Sequence, residues 1–259
     1  MALTYQDVQV HANGRCLLDA MSGRLQVGQL TAIVGPNGAG KSTFLSVLCG
    51  ARSPQQGAVS LDDCLLSAWP HGALARRRAV LAQDNAVAFD LTVQEVVALG
   101  RYPHRFTPSR QEDDIVSHAL QLAGMTNMAQ RGIHSLSGGE RARAHFARAL
   151  AQVWEPPAEG SRWLFLDEPT AALDLRHQTE LLQCARDWAQ QQGVGVVAVV
   201  HDLNLALRYA DRVLVLHQGR CVADGPPAEV LHPTLLADVW GVASWLTHTP
   251  NGEPRLLWF

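Results

Sequence analysis

The stretch Gly35-Pro36-Asn37-Gly38-Ala39-Gly40-Lys41-Ser42, with Thr43 behind it, constrains this chain more than any other. It fits G-x-x-x-x-G-K-[ST]. Apolar Leu30–Val34 before it reads as a buried strand, and Lys41–Cys49 after it reads as a helix. A strand that turns through glycines into a helix aims backbone N–H groups and the positive end of the helix at an anion. Lys41 then supplies a cation for β- and γ-phosphates, and the Ser42 hydroxyl suits Mg²⁺. A glycine-rich turn that only caps a helix has the same look, so the rest of the chain has to decide.

The rest of the chain alternates strand and helix. Leu3–Val10 and Cys16–Leu25 flank Asn13-Gly14, a hairpin signal. Ala58–Leu61 and Ala79–Ala82 read as strands. Residues 92–152 read mostly as helix, broken near Pro103, Pro108 and Gly132. Then follow a strand at Trp163–Leu166, a helix at Arg176–Gln191, a strand at Val196–Val200, a helix at Leu203–Tyr209 and a strand at Arg212–Leu216. Alternation of this kind predicts a parallel sheet covered by helices, with the helical middle as an insertion. Asn251-Gly252 predicts a terminal hairpin within 241–259, for which a loose tail is the alternative.

Composition narrows the class of function. The 259 residues suffice for one large α/β domain with an insertion. The net charge of -3 argues against a dedicated nucleic-acid binder. The five cysteines are dispersed, which fits thiols in a reducing compartment better than a disulfide framework. The first residues lack a basic region followed by an apolar one, so no signal peptide is expected. The longest apolar run, at 194–200, is far below the roughly 20 residues of a membrane span.

Two further motifs carry chemistry. Trp163–Leu166 runs into Asp167-Glu168, which places two carboxylates beyond the end of a strand, where open α/β sheets bind ligands. Asp167 suits the Mg²⁺ shell. Glu168, one residue on, suits activation of a water for attack on a γ-phosphate. Leu136-Ser137-Gly138-Gly139-Glu140 opens a helix. Ser137 and Glu140 have the spacing of a capping box. Gly138-Gly139 weaken a helix and are explained by close approach of an anion to its first N–H groups.

That pentapeptide resembles the signature of the ABC ATPase family, and the resemblance extends over nearly the whole chain in the family's order. Gln83, in Val80-Leu81-Ala82-Gln83-Asp84, resembles the Q-loop. Ala171-Ala172-Leu173-Asp174 resembles the D-loop, with Ala171 where Ser is commoner. His201, after an apolar strand, resembles the switch histidine. The resemblance implies a P-loop NTPase (RecA-like) core with an N-terminal antiparallel β subdomain and an inserted α-helical subdomain. Residues 1–85 and 155–240 are expected to form the core and β subdomain, 86–154 the helical insertion and 241–259 the tail. It implies ATP and Mg²⁺ as cofactors, with Glu168, His201 and Gln83 at the chemistry and Ser42, Gln83 and Asp167 at the metal. Gly35 to Thr43 would bind the nucleotide together with Ser137, Gly138, Gly139, Glu140 and Asp174. The family places an aromatic residue near His11 and Ala12 to stack on adenine. Ala12 cannot stack and His11 can, so base selectivity is expected to be loose.

The resemblance also implies partners: a second copy arranged head to tail, two integral membrane permease subunits and, indirectly, a periplasmic substrate-binding protein, but no nucleic acid. The chain would sit peripherally on the cytoplasmic face of a bacterial inner membrane. Phe89-Asp90-Leu91-Thr92-Val93 and Gly100-Arg101-Tyr102-Pro103-His104 resemble importers of iron chelates, vitamin B12 and haem. The connection Trp154–Gly160 and Asp174-Leu175-Arg176-His177-Gln178 resemble the haem-importing branch; ferric siderophore or B12 import is the alternative. Non-transport ATPases of the superfamily fit less well, because a long heptad insertion or a second cassette is absent. No Cys-x-x-Cys-His occurs and the eleven histidines are scattered, so haem ligation by this chain is not expected.

Overall fold

The computed structural model describes residues 1–12, 14–83 and 89–258. Strands β1 (Ala2–Ala12) and β2 (Arg15–Gln26) form a long hairpin, Ala12 opposite Arg15; Asn13 of the turn signal lies outside the described residues. Next come β3 (Leu30–Val34) and α1 (Lys41–Leu48), then β4 (Gln56–Leu61), β5 (Cys64–Leu65), α2 (His71–Ala75) and β6 (Arg78–Leu81). The middle of the chain gives α3 (Val93–Ala98), α4 (Glu112–Leu122) and α5 (Gly138–Gln152). After it come β7 (Trp163–Asp167), α6 (Leu175–Gln192), β8 (Gly195–Val199), α7 (Leu203–Tyr209), β9 (Arg212–His217) and β10 (Arg220–Gly225). The chain closes with α8 (Pro227–Val230), α9 (Pro233–Trp240), β11 (Ser244–His248) and β12 (Pro254–Trp258).

The central sheet has the order β10-β9-β3-β8-β7-β6, parallel except for β10 at its edge. A second, antiparallel sheet has the order β2-β1-β4-β5. The parallel strands are buried on both faces, and their alternation feeds two cores. Leu164, Leu166, Val196 and Ala198 face the helices α3 to α7. Trp163, Phe165, Val197 and Val199 face α1 and the antiparallel sheet. Phe165 is 1% exposed, so cutting it to Ala would cost about 3–5 kcal/mol.

The middle segment is less helical than expected. Leu99–His104 is a tight 3₁₀ turn, and short 3₁₀ turns at Thr126–Met128 and Ile133–Ser135 precede α5. Buried Arg101 ties the first of these down: it donates to Glu112, to Glu155 and to the Ala151 carbonyl, at 2.7 to 3.0 Å. Gln152 at the end of α5 donates to the carbonyls of Ala75 and Arg78, both at 2.8 Å, which fixes α5 to the edge of the sheet. Asn251-Gly252 falls in the turn of the β11–β12 hairpin, where Gly252 N–H donates to Thr249 O at 2.8 Å. Among the described residues no helix is long and apolar enough to cross a membrane.

Candidate active site

β3, β7 and β8 end at one edge of the sheet, and three groups of polar residues follow them there. The loop after β3 is possible only with glycine at its start. Gly35 has φ 153°, and a Cβ there would lie 2.1 Å from the Leu216 carbonyl oxygen. Gly40, in left-handed conformation, leads into α1, whose first N–H groups have no side-chain cap. Lys41 Nζ donates to the Gly35 and Pro36 carbonyls at 2.9 and 3.0 Å. Burial pushes its pKa below the ordinary lysine value, against the pull of Glu168 and Asp167.

Ser42 Oγ donates to Asp167 Oδ1 at 2.9 Å. Burial holds the Asp167 pKa above the usual carboxylate value; the Ser42 hydrogen bond works against this and the Glu168 charge with it. Two hard oxygens at this spacing, one on a carboxylate that burial disfavours as an anion, suit a small divalent cation. Glu168 lies past the end of β7 with φ 50°. Its Oε1 is 2.7 Å from His201 Nε2, and its Oε2 accepts from Gln83 Nε2 at 3.2 Å. Gln83 thus meets the second carboxylate, not Ser42 or Asp167. A cleft of about 250 Å³ lies over the phosphate loop, walled by Asn37, Gly38, Gly40, Lys41, Ser42, Thr43, Glu168 and His201.

The signature residues do not line this cleft. Ser137 caps α5: its Oγ accepts from Glu140 N–H at 3.3 Å, and Glu140 Oε2 accepts from Ser137 N–H at 2.8 Å. Ser137 and Gly138 are exposed. Gly139 has a reason within its own chain, since a Cβ there would lie 2.9 Å from the Ala172 carbonyl oxygen. Asp174 also stands apart, its Oδ1 accepting from His177 N–H at 2.9 Å and lying 2.8 Å from His177 Nδ1. That pairing holds its carboxyl below the usual range.

Sequence reasoning missed Leu17, the hairpin residue that walls the phosphate cleft. His11 is exposed and Ala12 half-buried. It also missed a second cleft of about 440 Å³ between α5 and the Asp167–Ala172 segment, which Gly138, Arg141, Ala142 and His145 face. Their i, i+3, i+4, i+7 spacing was the available signal. Nothing in the local sequence marks Leu17.

Residues 18–171 match the family model described as ABC transporter. The chain is 47% identical over 247 residues to the Hemin import ATP-binding protein HmuV of Rhodopseudomonas palustris, covering 94% of this chain and 90% of that one. It also resembles a chain of a metal-chelate type ABC transporter solved in an inward-facing conformation, with TM-score 0.82 and 26% identity over 100% of this chain and 97% of that one. The ATP-binding cassette MJ0796, solved as a dimer in a post-hydrolysis state with ADP and Pi, gives TM-score 0.75 and 25% identity over 87% of this chain and 98% of that one. Sequence match, strand order and phosphate loop agree: the chain belongs to the ABC transporter family, as one of its ATP-hydrolysing members.

Proposed function

We propose that this chain is the ATPase of a bacterial haem importer and works as a head-to-tail dimer beneath separate membrane subunits, on the cytoplasmic face of the inner membrane. One observation supports the dimer: Ser137, Gly138 and Gly139 do not line the cleft over the phosphate loop, and Ser137 and Gly138 are exposed at the start of α5. A second copy, turned to face the first, brings each signature to the other's cleft. The haem cargo is supported by the likeness to HmuV. The likeness to a metal-chelate transporter supports a second reading, a ferric chelate or vitamin B12.

On this reading the loop N–H groups from Gly38 to Thr43 take the phosphates, and Lys41 exchanges the Gly35 and Pro36 carbonyls for phosphate oxygens. Ser42 and Asp167 would hold Mg²⁺, which when bound offsets the charge on the β- and γ-phosphates. Glu168 orients a water and accepts its proton, and His201 and Gln83 keep that carboxylate in place. The partner's Ser137-Gly138-Gly139 closes over the γ-phosphate. ATP thereby joins the two copies and its hydrolysis parts them, a change that the membrane subunits and a periplasmic binding protein convert into uptake.

The test is reconstitution with the permease subunits in vesicles, with uptake of haem, a ferric siderophore and B12 compared under ATP. Haem uptake that disappears in Lys41→Ala is the expected result. Uptake of another cargo in place of haem would reassign the importer, and full ATPase activity in purified Lys41→Ala would sink the site.

A further inference from the structure

We infer that Asn204 and the C-terminal β11–β12 hairpin position His201, which makes the hairpin a working part of the ATPase site. The inference rests on the role given to His201 above. His201 and Asp202 are strung between two anchors. On one side the Val200 N–H donates to the Ile33 carbonyl at 3.1 Å, so the chain is still held by the sheet. On the other side α7 begins. Asp202 caps it, accepting from the Asn204 and Leu205 N–H groups at 2.8 and 3.3 Å.

The cap alone does not fix where α7 starts in space. α7 has seven residues, too few to be stable without packing. In its first turn, three positions after His201, the Asn204 side chain bonds the backbone of Leu256 in β12 twice. Nδ2 donates to the Leu256 carbonyl at 3.2 Å, and Oδ1 accepts from the Leu256 N–H at 2.8 Å. An amide side chain here imitates a neighbouring strand, and β12 docks as if pairing with it. Leu256 is 1% exposed and sits in the core that the central sheet shares with α7. One turn further along α7, Arg208 reaches Glu253 at 3.6 Å.

The hairpin is thus pinned through its backbone to the first turn of α7, which follows His201 directly after the Asp202 cap. His201 in turn meets the carboxylate of Glu168 at 2.7 Å, with its side chain 45% exposed. When the pin is lost, α7 keeps its buried face but its first turn is freed, and His201 moves with it. Misplacement of a positioning group by about 1 Å can cost up to about 100-fold in rate.

The experiment compares Asn204→Ala in the wild-type and His201→Ala backgrounds, in the full chain, under single-turnover ATP hydrolysis with ATP affinity measured in parallel. Ala is the better helix former, so the variant keeps α7 and the fold. We expect Asn204→Ala to slow hydrolysis about tenfold with ATP affinity unchanged. In His201→Ala the same change should cost less than about twofold, because it acts through the missing residue. Equal losses in both backgrounds, or full activity in Asn204→Ala, overturn the inference. Wild-type turnover in His201→Ala overturns the role of His201 as well, which separates the two failures.

Discussion

Replacing Glu168 by Gln removes one charge and almost no shape. The Glu168 side chain is 17% exposed, with His201 Nε2 at 2.7 Å on one oxygen and Gln83 Nε2 at 3.2 Å on the other. The glutamine carbonyl can still accept from His201. Its amide faces Gln83, whose own amide turns over to offer oxygen. Both contacts survive, and the repulsion that helps to raise the Asp167 pKa is relieved. Folding stability should therefore stay within about 1 kcal/mol of wild type. The lost proton acceptor costs on the order of 10²–10⁴ in rate, or about 3–5 kcal/mol of barrier. The loop, Lys41, Ser42 and Asp167 still bind nucleotide, so the slow enzyme should accumulate as an ATP-bound dimer. Steady-state phosphate release gives the rate, and light scattering after size exclusion with ATP and Mg²⁺ gives the mass. Turnover within about threefold of wild type, or a monomer at saturating ATP, would refute the reasoning.

Three further outcomes follow from the same geometry. Asp167→Asn should melt higher than wild type at neutral pH without nucleotide, yet lose Mg²⁺-dependent hydrolysis. Because the folded-state pKa is raised, stability falls as pH rises from the ordinary carboxylate range through the folded value, and the penalty is complete above it. Calorimetry should show the two proteins converging as the pH drops below that range. Ser137→Arg should abolish hydrolysis while the monomer still binds a fluorescent ATP analogue; loss of binding with turnover per bound ATP unchanged would defeat the head-to-tail arrangement. Gly139→Val, whose Cβ would meet the Ala172 carbonyl oxygen, should cost about 1–3 kcal/mol in urea denaturation.

Much of the site was legible because its residues are bound to local backbone demands. Gly35 and Gly40 sit where only glycine fits, and Ser137 with Glu140 carries a helix start that any sequence reader can find. Gly139 was legible but incompletely explained, since its contact with Ala172 joins segments far apart in sequence. β10 went unread because it is an exposed edge strand whose alternate residues are only half-buried. α9 was readable and overlooked: Pro233 opens it and Gly241, with φ 69°, closes it. The link from Gln83 to Glu168 spans 85 residues and has no local signature. The same holds for Asn204 and Leu256, 52 residues apart.

The left-handed backbone of Glu168 sets durability against the role in turnover proposed for it. A non-glycine residue at φ 50° gives up on the order of 1–2 kcal/mol, and glycine in its place would recover part of that despite its more mobile unfolded chain. A library of this protein screened only for heat resistance should therefore drift at position 168 toward glycine or asparagine, both of which lack the carboxylate. Survivors of such a screen would bind ATP and hold it. Thermal hardening of this chain has to be sought elsewhere, in the two cores that share the central sheet, with position 168 held fixed.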